Sequence, residues 1–292
     1  MPSVDVNGQT IVYEDSGSGE PLLLVMGLGG QLIDWPEPFV EQLLSRYRVI
    51  RFDNRDIGLS SQTSGPTMRP AAMLRALLLR RKPASGYLIS DMAADAVGLL
   101  NALSIDRAHI VGISMGGMIC QQMAIDHPGR VLSMTSIMSN TGDRKNGRSA
   151  PALLAKAARL RPPTKETAVE EFVETSKLIC GPHWNEADMR ASLKASVARS
   201  FRPDGVARQF AAINASPDRT KGLATVTTPT LVIHGLIDPL VKPSGGIATA
   251  KAVPGSRLLM FPDMAHDLPR PRLGEIIDAI NANAARAVQT AI

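Results

Sequence analysis

The chain has few cysteines, few aromatic residues and no long apolar run. Only two of its 292 residues are cysteines, Cys120 and Cys180. Two isolated cysteines argue against a disulfide framework and favour a reducing compartment. Residues 1–20 do not combine a basic segment with an apolar one, and no apolar run approaches the roughly 18 residues of a membrane span. We therefore expect a cytoplasmic protein without integral membrane association.

Aromatic residues make up only 4% of the chain, although the formal net charge is +5. A positive charge is compatible with binding to nucleic acid, but no zinc-knuckle, helix-turn-helix or RNP-like motif accompanies it here. Many basic residues lie within Thr67 to Lys82, where Met73, Leu74, Leu77 and Leu78 share one helical face. We interpret this segment as a solvated basic face, with a flap over a pocket or weak attachment to an acidic surface as alternatives. No nucleic-acid partner is expected.

The sequence also lacks the spacings that are typical of metal and dinucleotide sites. None of the five histidines is spaced from another as metal ligands are, and neither H-E-x-x-H nor a pair of C-x-x-C motifs occurs. The glycine-rich stretch Gly27 to Gly30 does not continue as G-x-G-x-x-G, because position 32 is leucine. We therefore expect no metal ion and no dinucleotide, and we interpret His109, His127 and His234 as structural.

Alternating apolar and amphipathic stretches predict an α/β fold. Continuous apolar runs are typical of strands buried on both faces, and helical patterns between them predict a mostly parallel sheet flanked by helices. The chain opens with antiparallel strands instead, because Asn7-Gly8 between two alternating stretches indicates a hairpin. The predicted strands of the parallel part are Leu22 to Met26, Tyr47 to Phe52, His109 to Ile113, Val131 to Ile137, Thr230 to Ile233 and Arg257 to Phe261. The predicted helices are Phe39 to Ser45, Ile89 to Leu103, Met115 to Asp126 and Leu273 to Val288.

The strand pattern is absent from residues 141–220, where helical patterns are separated by proline and glycine. Thr228-Pro229-Thr230 then restarts the sheet. We therefore predict one core domain, formed by residues 1–140 and 221–292, with residues 141–220 inserted as a helical cap, or lid, above the strand ends.

Gly112-Ile113-Ser114-Met115-Gly116 lies between an apolar run and an amphipathic run, which predicts a strand, a sharp turn and a helix. A serine at such a turn has a strained backbone, and small residues two places before and after it let the strand and the helix pack closely. Its hydroxyl projects from the sheet edge. The pattern G-x-S-x-G alone is weak evidence, but its context favours Ser114 as a nucleophile.

A serine hydroxyl needs a base to take its proton and a carboxylate to orient that base. His266 follows the last predicted strand, on a loop at the same sheet edge as Ser114. Asp238 follows the preceding strand, which places its carboxylate beside the histidine loop. We therefore predict a catalytic triad of Ser114, Asp238 and His266. Asp263 and Asp267 flank the histidine and stay open as alternative orienting carboxylates.

Acyl transfer also needs two N–H donors for the developing oxyanion. Met115 follows the serine and begins the predicted helix, so its backbone amide supplies one donor. The glycine-rich turn after the first buried strand supplies the second, and Leu28 is the predicted residue. Gly27 or Gly29 stays open as the alternative to Leu28 in this oxyanion hole.

With these motifs the chain resembles the α/β hydrolase fold family over nearly its whole length. The serine turn, His234-Gly235-x-x-Asp238, Ala265-His266-Asp267 and the stretch from Phe52 to Ser60 carry the resemblance. Met26-Gly27-Leu28-Gly29-Gly30 with Asp34-Trp35-Pro36 is similar to the esterase branch that includes aclacinomycin methylesterase and related bacterial carboxylesterases. Many members carry His-Gly at the oxyanion turn, where this chain has Met26-Gly27. This departure argues against the cofactor-free haloperoxidase or perhydrolase branch, although Met115 after the serine fits that branch. Dehalogenases and epoxide hydrolases are excluded, because they use aspartate where this chain has serine.

The resemblance implies two-step acyl transfer without a cofactor, in which Ser114 attacks an ester carbonyl and His266 acts as base. The main expectation is a serine carboxylic-ester hydrolase for small to medium apolar esters. A lactonase or a polyketide-type methyl esterase is the nearest alternative, and a perhydrolase or a non-catalytic ligand receptor is a further one. The expected partner is a small-molecule ester or lactone, and the sequence leaves the oligomeric state open.

Two groups of residues have a structural interpretation beside a functional one. The charged residues at positions 53, 55 and 56 are expected to stabilise the turn after a central strand, as the resemblance implies. Trp35, His183 and Trp184 are candidates for lining the substrate pocket, and ordinary packing is the alternative for each.

Overall fold

The computed structural model describes residues 1–64, 83–153 and 163–289, so the basic segment Thr67 to Lys82 lies outside the described residues. An eight-stranded sheet with the order β1-β2-β4-β3-β5-β6-β7-β8 forms the centre. The strands are β1 (Ser3–Val6), β2 (Gln9–Gly17), β3 (Glu20–Val25), β4 (Tyr47–Phe52), β5 (Ala108–Ile113), β6 (Val131–Ile137), β7 (Thr230–Gly235) and β8 (Arg257–Phe261). Strand β2 pairs antiparallel with β1 and β4, whereas the other neighbouring pairs are parallel. The prediction of an α/β class with a mostly parallel sheet is therefore confirmed.

The hairpin between β1 and β2 forms where the sequence predicted it. Asn7 and Gly8 have φ angles of 50° and 73°, and a two-residue turn of this kind requires positive φ at both residues. The turn pairs Val6 with Gln9 and sets the register of the first two strands.

Helices cover both faces of the sheet. The described helices are α1 (Glu37–Leu44), α2 (Ile89–Ala102), α3 (Met115–Asp126), α4 (Ala168–Ile179), α5 (Glu186–Arg199), α6 (Pro203–Ala215), α7 (Thr220–Leu223), α8 (Ser244–Ala252) and α9 (Leu273–Gln289). Leu23 and Val25 of β3 join the apolar cluster that contains residues of α2 and α3. Leu22 and Leu24 join the cluster that contains residues of α1 and α9. Burial on both faces explains why the central strands are continuous apolar runs.

The connecting segment between β6 and β7, residues 138–229, contains α4 to α7 and no described strand. Strands β6 and β7 are adjacent, and Ile137 pairs with Ile233. The chain therefore leaves the sheet and re-enters it at neighbouring positions. The division into a core of residues 1–140 and 221–292 and a cap of residues 141–220 stays a prediction. None of the helices in the described ranges combines the length and the apolar character needed to cross a membrane.

Candidate active site

Ser114 lies at the turn between β5 and α3. Its φ of 52° and ψ of −118° are unusual for a residue with a side chain. The Ser114 amide donates to the Ile137 carbonyl oxygen at 2.9 Å and so ties the turn to β6. The strand, the sharp turn and the helix predicted around this serine are all present.

The glycines two places before and after Ser114 are required by close contacts. A Cβ added at Gly116 would lie 1.9 Å from the Val25 carbonyl oxygen, and one at Gly112 would lie 2.2 Å from the Gly116 carbonyl oxygen. Real Cβ atoms essentially never come closer than 3.0 Å to such atoms. The absence of both side chains therefore lets α3 pack directly on β5 and on the end of β3.

Asp238 and His266 follow β7 and β8, and their side chains meet Ser114 at one edge of the sheet. His266 Nε2 lies 3.0 Å from Ser114 Oγ, and His266 Nδ1 lies 2.7 Å from Asp238 Oδ2. The Asp238 side chain has no exposed surface and that of His266 is 8% exposed. The three predicted residues therefore form a continuous, largely buried chain of hydrogen bonds.

The Asp238 carboxylate is held on both oxygens. Its Oδ1 accepts hydrogen bonds from the Leu240 and Val241 amides at 2.8 and 2.9 Å. Burial raises the pKa of this carboxyl, but hydrogen bonds from His234 and His266 outweigh burial and lower the pKa to about 2. Asp238 is therefore a carboxylate at neutral pH and accepts from His266 Nδ1–H, which leaves the Nε2 lone pair facing Ser114.

His234 is a neighbour of the acid that our sequence interpretation, which took it as structural, did not connect to the site. Its Nε2 lies 2.7 Å from the Val241 carbonyl oxygen and 3.5 Å from Asp238 Oδ2, and its side chain is fully buried. Both partners are acceptors, so Nε2 carries the proton in this arrangement. The available signal was the four-residue spacing between His234 and Asp238.

The two alternative orienting carboxylates have other partners. Asp267 accepts hydrogen bonds from two backbone amides at 3.1 and 3.2 Å, and burial raises its pKa. Asp263 lies 2.8 Å from His183 Nε2 and also pairs with Arg272, and the hydrogen bonds from Arg272 and His183 lower its pKa to about 2. In the described part of the chain, the carboxylate that the His266 ring contacts is that of Asp238.

The glycine-rich turn after β3 lies against the serine. A Cβ added at Gly27 would be 3.2 Å from Ser114 Cβ, and the Gly30 amide donates to the Gly27 carbonyl oxygen at 3.2 Å. The Gly29 amide, one of the alternative oxyanion donors, already donates to Gln209 Oε1 at 2.9 Å. Leu28 lies between these glycines and is 36% exposed.

Met115 is the first residue of α3. An amide at this position has no acceptor within its own helix, because the residue four places earlier lies outside the helix. The positive end of the helix dipole also lies here. Both properties suit an N–H that faces a developing negative charge.

The loop after β4 is held by the charged residues that were expected to stabilise it. Asp53 accepts from two backbone amides at 2.8 and 2.9 Å. Arg55 donates two hydrogen bonds to Asp95 at 2.6 and 2.7 Å. Asp56 accepts from Arg208 of α6 at 2.8 Å.

Trp35, one of the three pocket candidates, lies in the core. It is 1% exposed and stacks on Phe39 with ring centroids 5.4 Å apart. His183 bonds to Asp263, and the Trp184 indole nitrogen is buried without a hydrogen-bond partner among the described residues. Within the same residues, no cluster of three or more His, Cys, Asp or Glu side chains could hold a metal ion.

Comparison with known proteins places this geometry in a family. Residues 20–269 match the α/β hydrolase fold. The rhodomycin D methylesterase DnrP of Streptomyces peucetius is 29% identical over 92% of this chain and 93% of its own. Among solved structures, Est816, an N-acyl homoserine lactone degrading enzyme, is 27% identical with a TM-score of 0.69, over 95% of this chain and 99% of its own. The esterase RhEst1 from Rhodococcus sp. ECU1013 shares the fold at 24% identity and a TM-score of 0.75, over 96% of this chain and 97% of its own.

The likeness to DnrP confirms the resemblance to bacterial methylesterases that the glycine-rich turn indicated. Together with the match across residues 20–269, it shows that the chain is an enzyme of the α/β hydrolase fold family.

Proposed function

We propose that the protein is a serine carboxylic-ester hydrolase for small to medium apolar esters. The hydrogen-bond chain from Ser114 through His266 to Asp238, with distances of 3.0 and 2.7 Å, is the observation that carries this proposal. A nucleophile, a base and a group that orients the base are the parts that acyl transfer through a serine requires.

In the first step, Ser114 Oγ attacks the ester carbonyl carbon while His266 Nε2 takes the hydroxyl proton. Asp238 holds the other ring nitrogen and stabilises the imidazolium that forms. The carbonyl oxygen becomes an oxyanion, which accepts hydrogen bonds from the Leu28 and Met115 amides. The tetrahedral intermediate then collapses, and the leaving alcohol takes the proton from His266.

In the second step, water attacks the acyl-enzyme on Ser114. His266 takes a proton from the water and returns it to Ser114 Oγ as the carboxylic acid leaves. The net reaction consumes one ester and one water and yields one acid and one alcohol. The mechanism assigns no role to a cofactor.

We further propose that residues 141–220 form a cap that limits the size of the substrate. A contact between this region and the base loop supports the idea, because the His266 amide donates to the Ile179 carbonyl oxygen, the last residue of α4, at 2.9 Å. A cap that contacts the base loop lies close enough to shape the acyl or the alcohol side of a pocket. The residues that line that pocket would set the substrate range.

A lactonase or a methyl esterase is the second candidate. The relative DnrP is a rhodomycin D methylesterase, and Est816 is an N-acyl homoserine lactone degrading enzyme. A lactone is a cyclic ester, so Ser114 would attack it in the same way and the alcohol would stay attached to the acyl group.

The test is hydrolysis of p-nitrophenyl esters of increasing acyl length, beside a methyl ester and an N-acyl homoserine lactone. Ser114→Ala should lower kcat by several powers of ten on every substrate that the wild type cleaves. Ser136→Ala, which removes a buried serine from the adjacent strand β6, is the matched control and should keep its activity.

Turnover that survives in Ser114→Ala would contradict the proposal. Cleavage of only the lactone or only the methyl ester would replace the main candidate by the second one. Tight ligand binding without multiple turnover would instead indicate a receptor.

A further inference from the structure

Helix α6 of the connecting segment reaches the glycine-rich turn through a hydrogen bond from Gly29 to Gln209, and the Val206 side chain of the same helix also lies close to Gly29. Gln209 is fully buried, and its Oε1 accepts a hydrogen bond from the Gly29 amide at 2.9 Å. The two residues are 180 positions apart in the sequence. The turn that carries Leu28 is therefore held by a helix from a distant part of the chain.

The geometry of the turn explains what this bond controls. The Gly30 amide donates to the Gly27 carbonyl oxygen, and Gly29 has a φ of 73°, as the third residue of a type II turn does. In a trans peptide the C=O and N–H bonds point in opposite directions. The Leu28 N–H therefore points out of the turn, away from the bond that closes it.

The hydrogen bond from Gly29 fixes the peptide plane that follows Leu28. The closing bond between Gly30 and Gly27 fixes the plane that precedes it. Without the acceptor on Gln209, the peptide between Leu28 and Gly29 could rotate about its flanking bonds. The Leu28 N–H lies in the plane that the closing bond fixes, and the bond from Gly29 is the second anchor that holds the turn in place, so its loss would let the turn and the Leu28 amide shift.

The side chain at position 209 needs both an acceptor and a donor. While Oε1 accepts from Gly29, Nε2 donates to the Arg55 carbonyl oxygen at 2.9 Å. A carboxylate could accept but could not donate, and an apolar side chain could do neither. Gln209 is fully buried and its bond to Arg55 is buried as well, so an unpaired group left there would be costly. The glutamine amide meets both requirements.

Helix α6 is itself fixed by contacts that do not involve the turn. A Cβ added at Gly205 would lie 2.1 Å from the Asp56 carbonyl oxygen, so the helix backbone lies directly against the loop after β4. Arg208 pairs with the buried Asp56 carboxylate at 2.8 Å. Gln209 therefore connects the turn to a helix that has its own rigid attachment.

We propose that Gln209 is a positioning residue that aims the Leu28 amide at the oxyanion. The inference rests on the proposed function, in which Leu28 donates to the tetrahedral intermediate. A misplaced donor reduces the stabilisation of the transition state more than that of the bound substrate, because the negative charge develops only during the reaction. Loss of Gln209 should therefore lower kcat with little change in KM.

The test compares Gln209→Met with the wild type in p-nitrophenyl ester hydrolysis. Loss of a complete oxyanion donor costs about 100- to 1,000-fold in kcat, and a donor that is only misdirected should cost about 10- to 100-fold. KM should change less than about threefold. Gln209→Asn, which is one methylene too short to span both partners, is the second variant and should show the same loss.

Gln121→Met is the matched control. Gln121 is a fully buried glutamine on α3 that bonds to Ser136 and Arg219 and has no hydrogen bond to the turn. Its replacement should lower the melting temperature and leave kcat within about threefold of the wild type. Circular dichroism of each variant establishes that it is folded.

A pair of inhibitors separates positioning from a general packing defect. An alkyl trifluoromethyl ketone forms a tetrahedral adduct with the serine and places an oxyanion in the hole, whereas the matching methyl ketone binds mainly as the intact ketone. In both Gln209 variants, Ki for the trifluoromethyl ketone should rise by the same factor by which kcat/KM falls. Ki for the methyl ketone should stay within about threefold of the wild-type value.

The inference is overturned if a folded Gln209 variant keeps wild-type kcat, or if both ketones lose affinity equally. The first result would show that the turn keeps its geometry without Gln209, and the second would show that Gln209 contributes only to packing. Failure of the proposed function looks different, since it shows as turnover that survives in Ser114→Ala or as no ester turnover in the wild type.

Discussion

Gly116→Ala tests the close contact between the serine turn and the end of β3. The added Cβ would lie 1.9 Å from the Val25 carbonyl oxygen, so the two backbones must separate by about 1 Å to reach the shortest approach that real structures show. The added Cβ is bonded directly to the backbone of α3 and the oxygen belongs to the backbone of β3, so no side-chain rotation can relieve the contact. We expect a cost at the upper end of the usual range for overpacking, about 3 kcal/mol.

The same displacement should damage catalysis. The end of β3 continues into the turn that carries Leu28, and misplacement of a catalytic group by about 1 Å costs about 100-fold in rate. The variant should therefore melt about 6 °C or more below the wild type and have kcat about 100-fold lower. Thermal unfolding by circular dichroism and steady-state hydrolysis of a p-nitrophenyl ester measure the two effects.

Gly274→Ala is the control with the opposite sign. Gly274 lies in the first turn of α9, and a Cβ added there meets no atom within 4 Å. Alanine should stabilise this helix by about 0.5 kcal/mol, because glycine loses more backbone freedom on folding. A Gly116→Ala protein with wild-type melting temperature and wild-type kcat would refute the argument from backbone contact.

Three further predictions concern buried charges. Asp238→Asn replaces one carboxylate oxygen by an NH2 group, so the side chain can no longer accept from both the backbone amides and His266, and His266 loses the partner that fixes its tautomer. We expect kcat to fall about 10,000-fold in steady-state assays. A loss below tenfold would be incompatible with the proposed role. The pKa of Asp238 is lowered to about 2 from an ordinary value of 3.8, so the stability it confers is present above pH 3.8 and lost as the pH falls towards 2. Between pH 5 and pH 2, denaturant titrations should therefore show the wild type losing about 2 kcal/mol more than Asp238→Asn, and equal losses would contradict this. Asp95→Ala leaves Arg55 buried without its carboxylate and should lower the free energy of unfolding in urea by about 3 kcal/mol. Asp15→Ala removes one partner of a partly exposed ion pair and should lower it by less than about 1 kcal/mol. Similar losses for the two variants would show that burial does not decide the effect.

The sheet and its helices were predictable because their signals are local. The strands Tyr47–Phe52 and Val131–Ile137 and the helix Met115–Asp126 have the bounds that the sequence predicted. Each is marked by an apolar or amphipathic run with turn residues at its ends. The parallel order then brings the ends of β5, β7 and β8 to one edge, which is why Ser114, Asp238 and His266 could be proposed together.

Other parts of the site depend on contacts that no short stretch of sequence encodes. Gln209 is one polar residue on an amphipathic helix, and its contact with Gly29 exists only because α6 docks on the loop after β4. His234 lies within a buried strand, and its four-residue spacing from Asp238 does not by itself show that the ring turns towards that carboxylate. Trp35 shows the same limit, since a core position and a pocket position both favour a large aromatic residue.

The adjacency of β6 and β7 makes the connecting segment between them exchangeable in principle. Its two ends are neighbours in the sheet, so a longer or shorter replacement changes loop closure by only about 0.6 kcal/mol for each doubling of length. A graft from a relative could therefore change the pocket while the sheet and the serine turn stay intact. The bond from Gly29 to Gln209 restricts this freedom, because any grafted segment must bring its own buried acceptor to the same amide.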